Sequence, residues 1–110
     1  MAELERDIER ALVGMVKRNG GLCLKWVCPG WAGVPDRIIL LPGGRLIFVE
    51  LKRPKGGQLR EMQKWWSQKL QRLGFHWLAI YNRADIRNLE LVIIGQPQEQ
   101  RTKGKYTQKD

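Results

Sequence analysis

The sequence predicts one α/β domain whose mixed sheet is flanked by helices, in the order α-β-β-β-α-β. Three observations carry that reading. Two stretches, 3–19 and 58–73, place apolar residues at the 3.6-residue helical period. Two apolar segments flank the turn Pro42-Gly43-Gly44, the pattern of a β-hairpin. The second helical stretch lies between that hairpin and a further strand, so this last strand is expected to pair in parallel through a right-handed crossover.

In chain order, Leu4, Ile8, Leu12 and Met15 give the first helix its apolar stripe, which Ala11 and Val16 widen. Its acids (Glu3, Glu5, Asp7, Glu9) come first and its bases (Lys17, Arg18) last, as the helix dipole favours, and Asn19-Gly20-Gly21 ends it. Leu22 to Val27 reads as a strand. Cys28-Pro29-Gly30-Trp31-Ala32-Gly33 is a loop rich in breakers, in which Trp31 serves either as an apolar anchor or as a stacking surface for an unpaired base. Gly33 would let backbone approach a ligand or a neighbouring strand.

The hairpin follows. If Pro42, Gly43 and Gly44 form a three-residue loop, Leu41 faces Arg45 and Asp36 faces Glu50; a two-residue Gly-Gly loop would instead pair Asp36 with Leu51. Side chains alternate along a strand, so Leu46, Phe48, Glu50 and Lys52 share one face, and Asp36, Ile38 and Leu40 share a face of the first strand. Opposed carboxylates, with Cβ atoms roughly 4.5–5.5 Å apart, repel each other. A divalent cation between them turns that repulsion into coordination, since Mg²⁺ is held by one or two carboxylates together with waters and phosphate oxygens. Lys52, one step along the same face, can hold a water or steady charge on a transferring phosphate.

Beyond the basic link Arg53-Pro54-Lys55-Gly56-Gly57, the second helix is read over Gln58–Leu73, with Leu59, Met62, Trp66, Leu70 and Leu73 as its buried stripe and Gln63 at the stripe's edge. His76 to Tyr81 reads as a strand, 84–89 as a short helix or turn, Glu90 to Ile94 as an edge strand, and 96–110 as a basic, disordered tail outside the folded unit 1–95.

Composition narrows the function classes. The chain has 110 residues and a net charge of +9, of which the tail holds only a small share, so the folded body favours a polyanionic partner. Lys25, Arg53, Lys55, Arg60 and Lys64 are candidate phosphate contacts. No apolar run reaches a membrane span and the N-terminus is not signal-like, so a soluble, cytoplasmic protein is expected. Cys23 and Cys28 fit neither a disulfide framework nor a zinc site, and His76, the sole histidine, has no acid or cysteine at ligand spacing.

Pro35-Asp36, the hairpin and Glu50-Leu51-Lys52 resemble the PD-(D/E)xK nuclease motif. With Gly33-Val34 ahead of them and Gln63 after, they resemble more closely the VRR-NUC branch, especially its small stand-alone phage and bacterial members. The resemblance spans roughly residues 3 to 82 and implies a restriction-endonuclease-like fold. It implies metal-dependent, structure-selective DNA cleavage with Mg²⁺ or Mn²⁺. Asp36, Glu50 and the Leu51 carbonyl would then be metal ligands, Lys52 catalytic, and Gln63 an ordering residue, with Gln58 an alternative. Glu5 or Glu9 would add a carboxylate from the first helix, and the Glu5-x-x-Ile8-x-x-x-Leu12 pattern, similar to junction-resolving nucleases, favours Glu5. The small members look like Holliday-junction resolvases acting as homodimers, for which Trp65, Trp77 or 90–94 are candidate contact surfaces. Two other classes fit the charge: a non-catalytic nucleic-acid-binding domain, and an interaction module in which Glu50 and Lys52 form a simple same-face ion pair.

Overall fold

The computed structural model describes residues 4–95; the expectations for Glu3 and for the tail 96–110 lie outside the described residues. Seven elements follow in order: α1 (Glu5–Arg18), β1 (Leu22–Lys25), β2 (Arg37–Leu41), β3 (Arg45–Leu51), α2 (Glu61–Arg72), β4 (His76–Ile80) and α3 (Arg83–Gly95). The sheet order is β1-β2-β3-β4, antiparallel except for the parallel β3–β4 pair. No described helix is long and apolar enough to cross a membrane.

The turn has the three-residue form: Leu41 pairs with Arg45 and Arg37 with Val49. Gly43 and Gly44 both have φ in the left-handed region, at 84° and 74°, which side-chain-bearing residues adopt only at a cost. This register fixes the two faces of the sheet. Ile39, Leu41, Ile47, Val49, Leu51 and Ile80 point into the main core and meet Ile8, Leu12, Met15 and Val16 of α1 and Ile86, Leu89 and Ile93 of α3. Each such fully buried aliphatic side chain contributes roughly 1.5–3 kcal/mol.

The opposite face is aromatic. Trp26 lies 5.2 Å from Phe48 and 6.0 Å from Trp66 of α2, and Phe48 meets Phe75 edge-on at 5.5 Å. Trp31 packs edge-on against Trp66 at 5.7 Å while remaining 57% exposed, so it is an anchor with an open face.

Three expectations are corrected. Residues 90–94 are not an edge strand but the end of α3. Asn82 accepts a hydrogen bond from the Asp85 N–H (2.9 Å), while Asp85 accepts one from the Tyr81 N–H (2.9 Å). That reciprocal cap starts a helix whose buried residues Ile86, Leu89 and Ile93 recur at helical spacing. Second, α2 starts at Glu61, and its buried side chains are Ser67 and Leu70, with Gln63 and Trp66 half-buried; Met62 and Leu73 are 43% and 59% exposed. The helix is rotated toward Trp66 because that indole reaches both the aromatic face and the Ala32 carbonyl, to which its Nε1 donates at 2.9 Å.

Third, the neighbour that Gly33 approaches is the start of α2, not a strand. Its φ is +81°, and a Cβ there would lie 2.6 Å from the Met62 Cβ and 2.8 Å from the Met62 carbonyl carbon. Arg45 was not singled out by sequence. It is buried and donates to the Ile93 carbonyl (3.0 Å) and to the Pro42 carbonyl (3.3 Å), tying the end of α3 to the hairpin turn.

Gly33→Ala is expected to destabilise the fold by about 1–2 kcal/mol from left-handed backbone alone. The clash with Met62 adds to this, and a lowered urea midpoint at unchanged slope is the readout.

Candidate active site

The site forms where the hairpin opens. Asp36 precedes β2, and its carbonyl accepts the Trp26 N–H at 3.1 Å, which extends the β1–β2 ladder by one rung and fixes the aspartate backbone. Continuing the hairpin register one step beyond Arg37–Val49 sets Asp36 against Glu50. One Asp36 oxygen accepts the Leu51 N–H at 2.7 Å, and its carboxyl lies within hydrogen-bonding reach of Glu50. Glu50 is only 2% exposed.

Two charged carboxylates at that separation and burial are electrostatically unfavourable. Burial, reinforced by the negative charge of Asp36, pushes the Glu50 carboxyl up to about 8, against a pull downward from Lys52.

Lys52 and Gln63 complete the cluster. Lys52 follows β3 and is held by its backbone N–H to the Ile80 carbonyl (3.0 Å). Its Nζ donates to Gln63 Oε1 (2.8 Å) and lies 3.6 Å from Glu50 Oε2. Gln63 Nε2 donates to Glu50 Oε2 at 2.6 Å. Gln63 is the third residue of α2, and its Oε1 also accepts the Arg60 backbone N–H (2.8 Å), so one side chain caps the helix and bridges Lys52 to Glu50. Gln58, the alternative, has no such contact.

The first-helix carboxylates divide. Glu9 Oε2 accepts from Arg37 Nε (3.0 Å) and Nη2 (2.8 Å), and Arg37 Nη1 donates to the Cys23 carbonyl (3.0 Å). Glu9 is thereby committed to locking α1 onto the sheet. Glu5 lines a cleft with Asp36 and Leu51. Among the described residues no three His, Cys, Asp or Glu side chains are grouped to hold a metal, so the close carboxyl pair is Asp36 and Glu50, with Glu5 across the Asp36 cleft. α1 packs on the aliphatic face of the sheet, whereas Glu50 projects from the aromatic one.

Asp36 and Glu50 alone still suit a hard cation. Two adjacent oxygen donors, one of them pushed toward the neutral form by burial and by the other's charge, are the minimal protein share of an Mg²⁺ or Mn²⁺ site that completes its shell with water and phosphate oxygens. The basic candidates Lys25, Arg53, Lys55, Arg60 and Lys64 are all exposed; Lys25 borders the Asp36 cleft, and Arg60 and Lys64 sit at the start of α2 beside Gln63. Arg37, whose guanidinium neutralises the second helix-1 carboxylate, is the residue of this region that sequence reading passed over. Its signal was an arginine on the inward face of a strand.

No family model matches the sequence. Over 61 residues the chain is 49% identical to a protein of Acyrthosiphon pisum secondary endosymbiont phage 1 named "Putative nuclease p44", covering 52% of this chain and 66% of that one, just under two thirds of its length. A solved structure described as a "VRR_NUC domain" superposes with a TM-score of 0.74 at 22% identity, over 77% of this chain and 91% of that one. The fold is therefore that of a VRR-NUC domain, restriction-endonuclease-like, as the motif resemblance implied.

The folded Glu50 carboxyl, near 8, lies above the ordinary value of about 4.5, so folding takes up a proton between them. Without divalent metal, stability is expected to be highest below pH about 4.5 for this group and to fall by on the order of a few kcal/mol as pH rises to about 8. Glu50→Gln, a neutral isostere, should flatten that slope in thermal melts recorded in EDTA.

Proposed function

From the premise that this chain is a VRR-NUC-type domain, we propose that it is a metal-dependent, structure-selective DNA endonuclease, related in action to Holliday-junction resolvases and working as a homodimer. The observation that carries this reading is the enforced contact of two carboxyls, Asp36 and the buried Glu50, with Lys52 bridged to Glu50 by Gln63. A merely structural sheet end gains nothing from two opposed acids.

Asp36 and Glu50 would hold Mg²⁺ or Mn²⁺, with the Leu51 carbonyl as a further donor on the same strand. Such an ion would lower the pKa of a bound water and offset charge on the phosphate under attack. The chain's own residues do the positioning. Gln63 holds Lys52 Nζ within 2.8 Å of its oxygen, so the ammonium presents its other protons to the attacking water or to a phosphate oxygen. Asp36 is oriented by the Leu51 N–H, and Glu50 by the Gln63 amide. Lys25, Arg53, Lys55, Arg60 and Lys64 would grip the phosphate backbone around this centre, and Glu5 would act from the edge of the Asp36 cleft.

Paired incision of a branched molecule needs two such centres, and one chain supplies one. On α3, Leu91, Val92 and Ile94 are 63%, 52% and 65% exposed, a larger apolar surface than Trp65 at 41% offers, which favours 90–94 as the dimer contact.

Asp36→Ala, Glu50→Ala and Lys52→Ala are each expected to lower cleavage of a four-way junction at least about 100-fold while the protein still melts cooperatively. Full cleavage in EDTA sinks the metal-dependent reading, and binding without cleavage at any Mn²⁺ level selects the non-catalytic binding domain. Leu91→Glu with Ile94→Glu is expected to yield a monomer by sedimentation that makes single nicks in place of paired cuts.

A further inference from the structure

Acids and bases of α1 fall on different flanks of its buried stripe, with Asp7 of the first turn as the acid on the basic side. On either side of the buried stripe Ile8, Leu12, Met15 and Val16, Glu5 and Glu9 lie toward Asp36 and Arg37, whereas Arg10, Gly14 and Arg18, four residues apart, border α3. Between α1 and α3 runs an open cleft lined by Arg10, Arg18, Arg83 and Arg87, with Gly14 also in its wall and Glu90 as the acid among its lining residues. Glu90 is already engaged, lying 3.6 Å from Arg18 and accepting from Asn19 Nδ2 at 2.9 Å. Arg10 and Arg87 are exposed and form no ion pair with any described carboxylate.

Folding does not favour this arrangement. Arg87 is exposed and stands one turn from Arg83, a like charge, which by itself costs helix stability. Gly14 lies mid-helix, where alanine is a better helix former. A Cβ there would meet only the Arg18 guanidinium, at 3.9 Å, so no crowding calls for glycine. What these residues share is a cationic cleft kept free of side-chain bulk.

We propose that the α1–α3 cleft is a second phosphate-backbone site, taking a different arm of a branched nucleic acid from the one seated at Asp36 and Glu50. The choice of nucleic acid over another polyanion rests on the nuclease reading. The choice of a separate arm rests on geometry: the cleft and the carboxylate centre lie on opposite flanks of α1, a helix about 10–12 Å thick with its side chains. Duplex DNA is stiff over far longer distances, so a straight duplex seated in the Asp36 and Glu50 cleft does not bend around α1 into the cleft on its other flank.

The test uses full-length protein in EDTA, with the affinity of a fluorescent four-way junction and of a duplex about one helical turn long followed across a salt series. The variants are Arg10→Gln combined with Arg87→Gln, and Gly14→Glu, which places a carboxylate in the cleft while keeping every arginine. Both are expected to weaken junction binding roughly tenfold, and the double variant to make its salt slope shallower by about 2, with the short duplex changed less than about twofold. Unchanged junction binding overturns the proposal and leaves an acidic protein surface as the cleft's occupant; equal losses on both DNAs overturn the separate-arm assignment. Melting curves confirm that the variants fold. Cleavage of the same junction by the wild-type protein with Mn²⁺ reads the nuclease assignment independently, so the two can fail separately.

Discussion

The hairpin register forces two carboxyls together, and much of this molecule is arranged around that contact. Asp36 and Glu50 are brought within reach of each other by a three-residue turn several residues away, whose two glycines fix the pairing. A slip of one residue would send Glu50 to the aliphatic face, among Ile39, Val49 and Leu51. The penalty of the close acids is not relieved by solvent, because Glu50 is buried. It is spread instead over a proton, the Lys52 ammonium and the Gln63 amide. That unfavourable pair would be relieved by the divalent cation proposed for the site.

The two faces of the sheet divide the work. The aliphatic face, covered by α1 and α3, provides most of the burial, and Arg45 closes it by holding the last turn of α3 to the hairpin. The aromatic face carries α2, and its packing is what gives Gln63 its place. Gly33 allows the loop to lie against Met62, Trp66 reaches the Ala32 carbonyl, and Gln63 then falls between Lys52 and Glu50 while capping its own helix. Site geometry here depends on a glycine and an indole that touch no reacting group.

Charge is distributed with the same economy. The Glu9–Arg37 pair removes one acid from the neighbourhood of the site and uses it to fasten α1 to β2. The opposite flank of that helix and the first turns of α3 gather arginines, of which Arg10 and Arg87 pair with no described carboxylate. A net charge of +9 is thus organised into surfaces on more than one side of the molecule.

By itself the sequence determined the local and near-local features: the first helix, the hairpin, the parallel last strand, and Asp36, Glu50, Lys52 and Gln63 as candidates, while the structure chose the three-residue turn that opposes Asp36 and Glu50. Strand alternation, helical period and turn length act over a few residues, and the cluster follows once they are fixed. Tertiary structure decided what depends on partners far along the chain. Glu9 was separable from Glu5 only by the position of Arg37, twenty-eight residues on. The buried face of α2 was set by Trp66 meeting Trp26 and Ala32 rather than by its own apolar stripe. Residues 90–94 are rich in the aliphatic types that strands favour, yet the Asn82–Asp85 cap and the docking of Ile86, Leu89 and Ile93 in the core with α1 made them helical.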